Sequence, residues 1–200
     1  MTLDRLLAHP EMARLAQALA HSPGRTATDE PNRKWAAIAV TFRLGDSGEP
    51  ELLFIKRAEF EGDPWSGHVA VPGGRRDPDD PDLTATVIRE IREELGIDLS
   101  SVGRMLGTLD DLAPRTPYLP PISIRPFVFA AAGPLNVTLS SEVAQSFWVP
   151  FSALRDQSAW AVKSVLMRGT PIQTPTFTWR EHVVWGLTER VLRQLVSLLD

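Results

Sequence analysis

The stretch TATVIREIREELGI, residues 84–97, constrains the fold of this chain more than any other. Val87, Ile88, Ile91 and Leu95 recur at helical spacing and make one apolar stripe, so the segment reads as a helix packed on a core. Asp80 is placed to cap it, Pro81 suits its first turn and Gly96 can end it in a left-handed conformation, which bounds a helix over 82–95. Glu90, Glu93 and Glu94 stand at i, i+3 and i+4, within one turn and on another face. The pairs 90/93 and 90/94 each cost roughly 0.2–0.5 kcal/mol on an isolated helix. Arg89, four residues before Glu93, offsets only part of that. Such a turn is either a solvated acidic face or a platform for a cation.

The flanking residues favour the platform. VPGGRRDPDD lies just upstream, and its Gly-Gly bend can bring backbone carbonyls close to whatever the carboxylates hold. Hard divalent cations take oxygen ligands, and Mg²⁺ usually combines carboxylates with water and substrate phosphates. A calcium-loop reading of DPDDPD fails, because Pro81 fills its fifth position and the sixth is not glycine.

The rest of the chain sets the frame. Two hundred residues suit one medium domain with an extension, divided here into an N-terminal helical extension and linker, 1–34, and a main domain, 35–200. Leu3, Leu6, Leu7, Leu15 and Leu19 predict one or two short amphipathic helices, which could pack on the body, cover the site or join a homodimer. HSPGRTATDEPNR is a surface linker. KWAAIAVTFRL, ELLFIKRA and HVAVPGG read as strands, the last ending at the Pro-Gly-Gly bend, followed after the helix by VGRMLGTLDDL and PPISIRPFVFAA. SFWVPFSAL reads as a strand running into a helical turn, residues 158–178 as irregular with a loop at Thr174–Thr176, and VVWGLTERVLRQLVSLL as a terminal helix with Leu187, Val191, Leu195 and Leu198 inward. Strands around two principal helices imply an α/β fold with a mixed sheet. The formal charge of −4 gives no global basic field for nucleic acid or an anionic membrane. The absence of cysteine excludes disulfides, thiolate metal sites and a cysteine nucleophile. With no signal-peptide pattern and no long apolar run, the expected location is cytoplasmic.

GGRRDPDDPDLTATVIREIREELGI resembles the Nudix box, G-x5-E-x7-R-E-U-x-E-E-x-G-U with U aliphatic. Arg89, Glu90, Ile91, Glu93, Glu94, Gly96 and Ile97 fit every fixed position of its second half. The first half departs: Gly74-x5 reaches Asp80 instead of Glu, and one extra residue precedes Arg89. The resemblance implies an α/β/α sandwich and hydrolysis of a nucleoside diphosphate linked to another group. It also implies that Glu90, Glu93, Glu94 and the Gly73 carbonyl hold Mg²⁺ or Mn²⁺, that Arg89 fixes the carboxylates, and that Glu90 or Glu93 is the general base. Glu142 stands where such enzymes often carry a late acid, and a cap after Ser140 or Ser141 is an equal reading.

LLFIKRA, GHVAVPGGRRDPDD, SEVAQSFWVP and VVWGLTERVLRQL further resemble the coenzyme A diphosphatase branch, which implies cleavage of coenzyme A into 3′,5′-ADP and 4′-phosphopantetheine. Lys56, Arg57, Arg75 and Arg76 could serve the phosphates or be ordinary surface charge; His68, beside the Gly-Gly bend with Gly74, could donate to a phosphate or be a structural histidine. One loop departs: AEFEGDPWSG brings Glu59, Glu61 and Asp63 where the branch usually carries basic residues, and acids facing the site would repel an anionic substrate. Trp65 in that loop is expected to cover the core rather than stack on a base. The alternatives are therefore another nucleoside diphosphate derivative, such as ADP-ribose, NADH or a dinucleotide, or a Nudix-like module that binds nucleotides without turnover.

Overall fold

The computed structural model describes residues 2–28, 33–62, 65–114, 121–167 and 169–199. Its centre is a seven-stranded mixed sheet. β1 (Lys34–Leu44) is flanked by β2 (Pro50–Arg57) and, in parallel, by β6 (Ile122–Ala131). β3 (Val69–Ala70) and β7 (Val143–Pro150) pair with β2, β4 (Gly73–Arg75) with β1, and β5 (Gly103–Thr108) with β6.

The strands are apolar on both faces because both are covered. Ala37 and Ala39 of β1, Leu53 and Ile55 of β2, and Phe127 and Phe129 of β6 pack with Val87, Ile91 and Leu95 of helix α3 (Leu83–Leu95). The alternate residues Val40, Phe42, Leu52, Phe54, Val128 and Ala130 face the other layer. That layer is built from α1 (Leu3–Ala8), α2 (Pro10–His21) and, after the short α4 (Leu99–Val102), the C-terminal α5 (Gly186–Ser197). The expected α/β/α sandwich is thus present. The N-terminal helices pack on the sheet face opposite α3, with Leu6, Met12, Leu15 and Leu19 buried.

Four expectations are corrected. Helix α3 starts at Leu83 under Asp82, whose side chain accepts from the Ala85 amide at 2.8 Å; Asp80 and Pro81 lie outside it because the Asp80 carboxylate is bound elsewhere. HVAVPGG is two strands, and its glycines lie inside the second, opposite Ala37 and Ile38. Residues 158–178 are not irregular: β8 (Trp160–Met167) and β9 (Thr170–Trp179) form a hairpin extended by β10 (His182–Trp185). Pro171 and Pro175 hid it, yet both fall on the part of β9 that β10 does not pair, where a missing N–H costs no ladder bond on that side. The terminal helix correspondingly begins at Gly186, since His182–Trp185 are strand. No helix among the described residues is long and apolar enough to cross a membrane.

The N-terminal layer is part of the main core, so Leu15→Ala should destabilise the protein by about 2–5 kcal/mol. Urea unfolding checks this, and a loss below a few tenths of a kcal/mol would mean that α2 is only loosely docked.

Candidate active site

Helix α3 carries its three glutamates across the edge of its buried stripe rather than on a separate face. Glu94 sits beside Val87 and Ile91 on the helix and is 4% exposed. One carboxylate oxygen accepts from the Gly73 amide at 2.9 Å. Glu90 is intermediate, and the Glu93 side chain is 58% exposed. The turn therefore runs from core to solvent. Burial pushes the Glu94 carboxyl up to about 7, against a smaller lowering by the Gly73 amide. Burial also raises Glu90, opposed by Arg89.

The Arg89 guanidinium organises this turn. It holds Asp80 bidentately, Nε to Oδ1 at 3.0 Å and Nη2 to Oδ2 at 2.8 Å. Nη1 donates to Glu90 at 3.0 Å and Glu93 at 2.9 Å, and Nη2 also reaches the Arg75 carbonyl at 3.0 Å. Its hydrogen bonds hold the Asp80 carboxyl well below the usual carboxylate range. Asp80 also accepts from the Asp77 amide at 2.9 Å, so the loop before α3 is closed onto the helix. Sequence reasoning assigned Asp80 to a helix cap and missed this role; the signal was its position six residues after Gly74, where the motif has an acid.

Strand β4 lies against the same turn, and two glycines permit the approach. A Cβ on Gly74 would stand within 2.6 Å of the Glu90 carboxylate. Gly73 has φ 138, and a Cβ there would meet Ile38 Cα at 2.6 Å. Gly74 thus sets the distance between the backbone of β4 and Glu90, while Gly73 lets β4 close on β1.

Other expected residues divide. Arg57, at the end of β2, lies close enough for its charge to favour ionised Glu94, and the charge of Glu142 acts on both Glu90 and Glu94. The ends of β2 and β7 are joined there, the Ala58 amide donating to the Glu142 carbonyl at 2.8 Å. Glu142 caps no helix; it leads directly into β7. Strand alternation puts Lys56 on the Phe54 side, away from α3. Arg75 is exposed, whereas the Arg76 guanidinium donates to the Asp80 and Pro81 carbonyls, both at 3.0 Å, and so pins the loop. The His68 ring lies 4.6 Å from that of Trp185. Trp65 is 38% exposed rather than covering the core, and Glu59 and Glu61 are exposed. Asp63 lies outside the described residues.

The donor set fits a hard divalent cation: three carboxylates on one turn, a fourth at Glu142, and a buried Glu94 whose charge is costly without a cation. Among the described residues no three acidic or histidine side chains close around one point, because Arg89 draws Glu90 and Glu93 to itself.

Glu94 carries a pH signature. Its folded pKa is raised, so its contribution to stability is complete below the ordinary 4.5 and is lost as pH rises through about 7. In a chelator, wild-type protein should lose on the order of 2–3 kcal/mol more than Glu94→Gln across that interval. Urea titrations at a series of pH values measure it, and equal slopes would contradict the burial of an ionisable Glu94.

A family model, NUDIX domain, matches residues 33–168. The chain is 34% identical over 150 residues to the uncharacterized Nudix hydrolase NudL of Photorhabdus laumondii subsp. laumondii, spanning 74% of this chain and 77% of that protein. Against NudL of Yersinia pestis (strain Pestoides F) the identity is 31% over 152 residues, covering 74% and 72%. Among solved structures, a MutT/nudix family protein from Enterococcus faecalis superposes with TM-score 0.56 at 11% identity, covering 98% of this chain and 73% of that one. A C. elegans Ap4A hydrolase binary complex gives 0.51 at 19%, covering 83% and 97%. At such identities the structures support the fold alone, whereas the family match spans most of the chain. With the glutamate turn, its arginine and the glycine strand in place, this chain belongs to the Nudix hydrolases, pyrophosphohydrolases that act on nucleoside diphosphate derivatives.

Proposed function

We propose that the protein hydrolyses the diphosphate of coenzyme A or its derivatives, giving 3′,5′-ADP and 4′-phosphopantetheine. The observation that carries this reading is the meeting of four segments at one place. The end of β2 with Arg57, strand β4 with Gly73, the start of β7 with Glu142 and the glutamate turn of α3 converge there. These are largely the segments whose residues resemble the coenzyme A branch.

Glu90, Glu93, Glu94 and the Gly73 carbonyl would hold Mg²⁺ or Mn²⁺. Such a cation supplies charge neutralisation at the diphosphate and activates water for in-line attack on phosphorus. The remaining work falls to the chain itself. Glu90 or Glu93 takes the proton of the attacking water; one P–O bond forms as the bridging P–O bond breaks, and the leaving phosphate keeps the bridging oxygen. Arg57, Arg75 and His68, with the backbone at Gly74, contact the phosphates. Arg76 acts on the loop that presents them. Arg89 is a positioning residue, holding Glu90 and Glu93 in register with Asp80.

A second reading keeps the chemistry and changes the substrate to ADP-ribose, NADH or a dinucleotide. It is favoured by Glu59 and Glu61, exposed in the loop that follows Arg57, which would oppose the additional 3′-phosphate of coenzyme A if they face it.

A panel of coenzyme A, ADP-ribose, NADH, diadenosine polyphosphates and nucleoside triphosphates, each with Mg²⁺ or Mn²⁺, separates the readings. Coenzyme A should be cleaved to the two named products; cleavage of ADP-ribose without coenzyme A would overturn the substrate, and no turnover of any diphosphate would overturn the mechanism. Glu93→Gln should lower kcat by about 10²-fold or more with the thermal midpoint little changed, because the side chain is mostly solvent-exposed.

A further inference from the structure

The core-facing side of the small sheet does not stop where the core does. Strand alternation puts Trp160, Val162, Ser164 and Leu166 on one face of β8, opposite Phe177, Pro175, Gln173 and Pro171 of β9. Trp160 and Phe177 belong to the core, their rings 5.1 Å apart. Farther out on the same face Val162 and Leu166 are 67% and 66% exposed, and Pro171 and Pro175 are exposed with them. Because β10 pairs β9 only from Thr176 onward, this outer part is a two-stranded ribbon, a unit that is marginally stable in water by itself.

Among the described residues the outer edge of β8 has no neighbouring strand and no proline or bulge to guard it against pairing. Its ladder to β9 runs from Trp160 to Met167 without a register shift, and both prolines of the hairpin are in β9. The lysine of β8 is drawn back across the sheet, Lys163 Nζ donating to Thr178 Oγ1 at 2.8 Å. Edge strands are normally blunted by charge, proline or a bulge.

The sequence of β8 is complementary to itself in one register. We propose that β8 pairs antiparallel with β8 of a second copy across a two-fold axis at Ser164, joining the two small sheets into one. In this register Val162 lies opposite the partner subunit's Leu166, and Leu166 opposite the partner subunit's Val162, so exposed apolar residues cover one another on both sides of the axis. Lys163 lies opposite the partner's Val165, which keeps like charges from facing directly. Moving the axis to Lys163 would set two lysines face to face, and moving it to Val165 would put Leu166 opposite the partner's Ser164. Of these three registers only the axis at Ser164 sets Val162 against Leu166 on both sides.

Two measurements test this on the full chain. Sedimentation or light scattering should give a dimer that Leu166→Lys, an exposed position, converts to monomer; a wild type that stays monomeric at the highest concentration reached, or a dimer unchanged by the variant, overturns the proposal. The chain has no cysteine, so one introduced thiol reports on the axis. Ser164→Cys places two thiols directly opposite, at Cα separations of about 4.5–5.5 Å that a disulfide can span. Val162→Cys places them about 13 Å apart along the strands. Under mild oxidation Ser164→Cys should crosslink at least tenfold faster than Val162→Cys, and equal or reversed rates would overturn the register.

Discussion

The guanidinium of Arg89 is the contact on which the site depends. On one side it holds Asp80 through two hydrogen bonds, fixing the loop before α3; on the other it spans Glu90 and Glu93 and reaches the Arg75 carbonyl of β4. Loop, helix and strand are thereby tied at one point. The same contact offsets the repulsion within the glutamate turn. A carboxylate and a guanidinium paired in this forked geometry are stronger and more directional than a point-charge pair, and removal of Arg89 would leave the buried Asp80 carboxylate without its cation.

Small residues allow the carboxylates to meet the strand. Ala37 and Ala39 of β1 pack under α3, and Gly73 and Gly74 of β4 bring backbone against Glu90 and Glu94. Glu94 is the costly element of this arrangement, a carboxyl raised by burial in a layer otherwise made of Val87, Ile91 and Leu95. The cost is local and electrostatic, so a cation can reverse its sign. The rest of the sandwich, with Phe42, Phe54 and Leu15 on its other side, supplies the apolar burial that tolerates it.

Much of this was legible in the residues. The helical spacing of Val87, Ile91 and Leu95 located α3, and alternation located β1, β2 and β6, because both signals are local and strong. Three features were not local. The Asp80–Arg89 pair spans the helix start and depends on how the loop returns, which spacing within the helix does not report. The burial of Glu94 depends on how closely β4 approaches α3, with the Gly73 amide on its carboxylate, and a strand distant in the sequence is what completes it. The β8–β9 hairpin was obscured because Pro171 and Pro175 are strand breakers by composition, yet they occupy a stretch of β9 without a second neighbour.

Glu90, Glu93 and Glu94 are the proposed seat of a divalent cation. Electron paramagnetic resonance titration of Mn²⁺ tests it without reference to substrate. Wild-type protein should immobilise Mn²⁺ at the turn with binding that strengthens as pH rises through about 7, where Glu94 gives up its proton, and Glu94→Gln should weaken binding and flatten that dependence. Mn²⁺ binding of equal strength in Glu90→Gln, Glu93→Gln and Glu94→Gln would show that the ion sits elsewhere and would contradict the account.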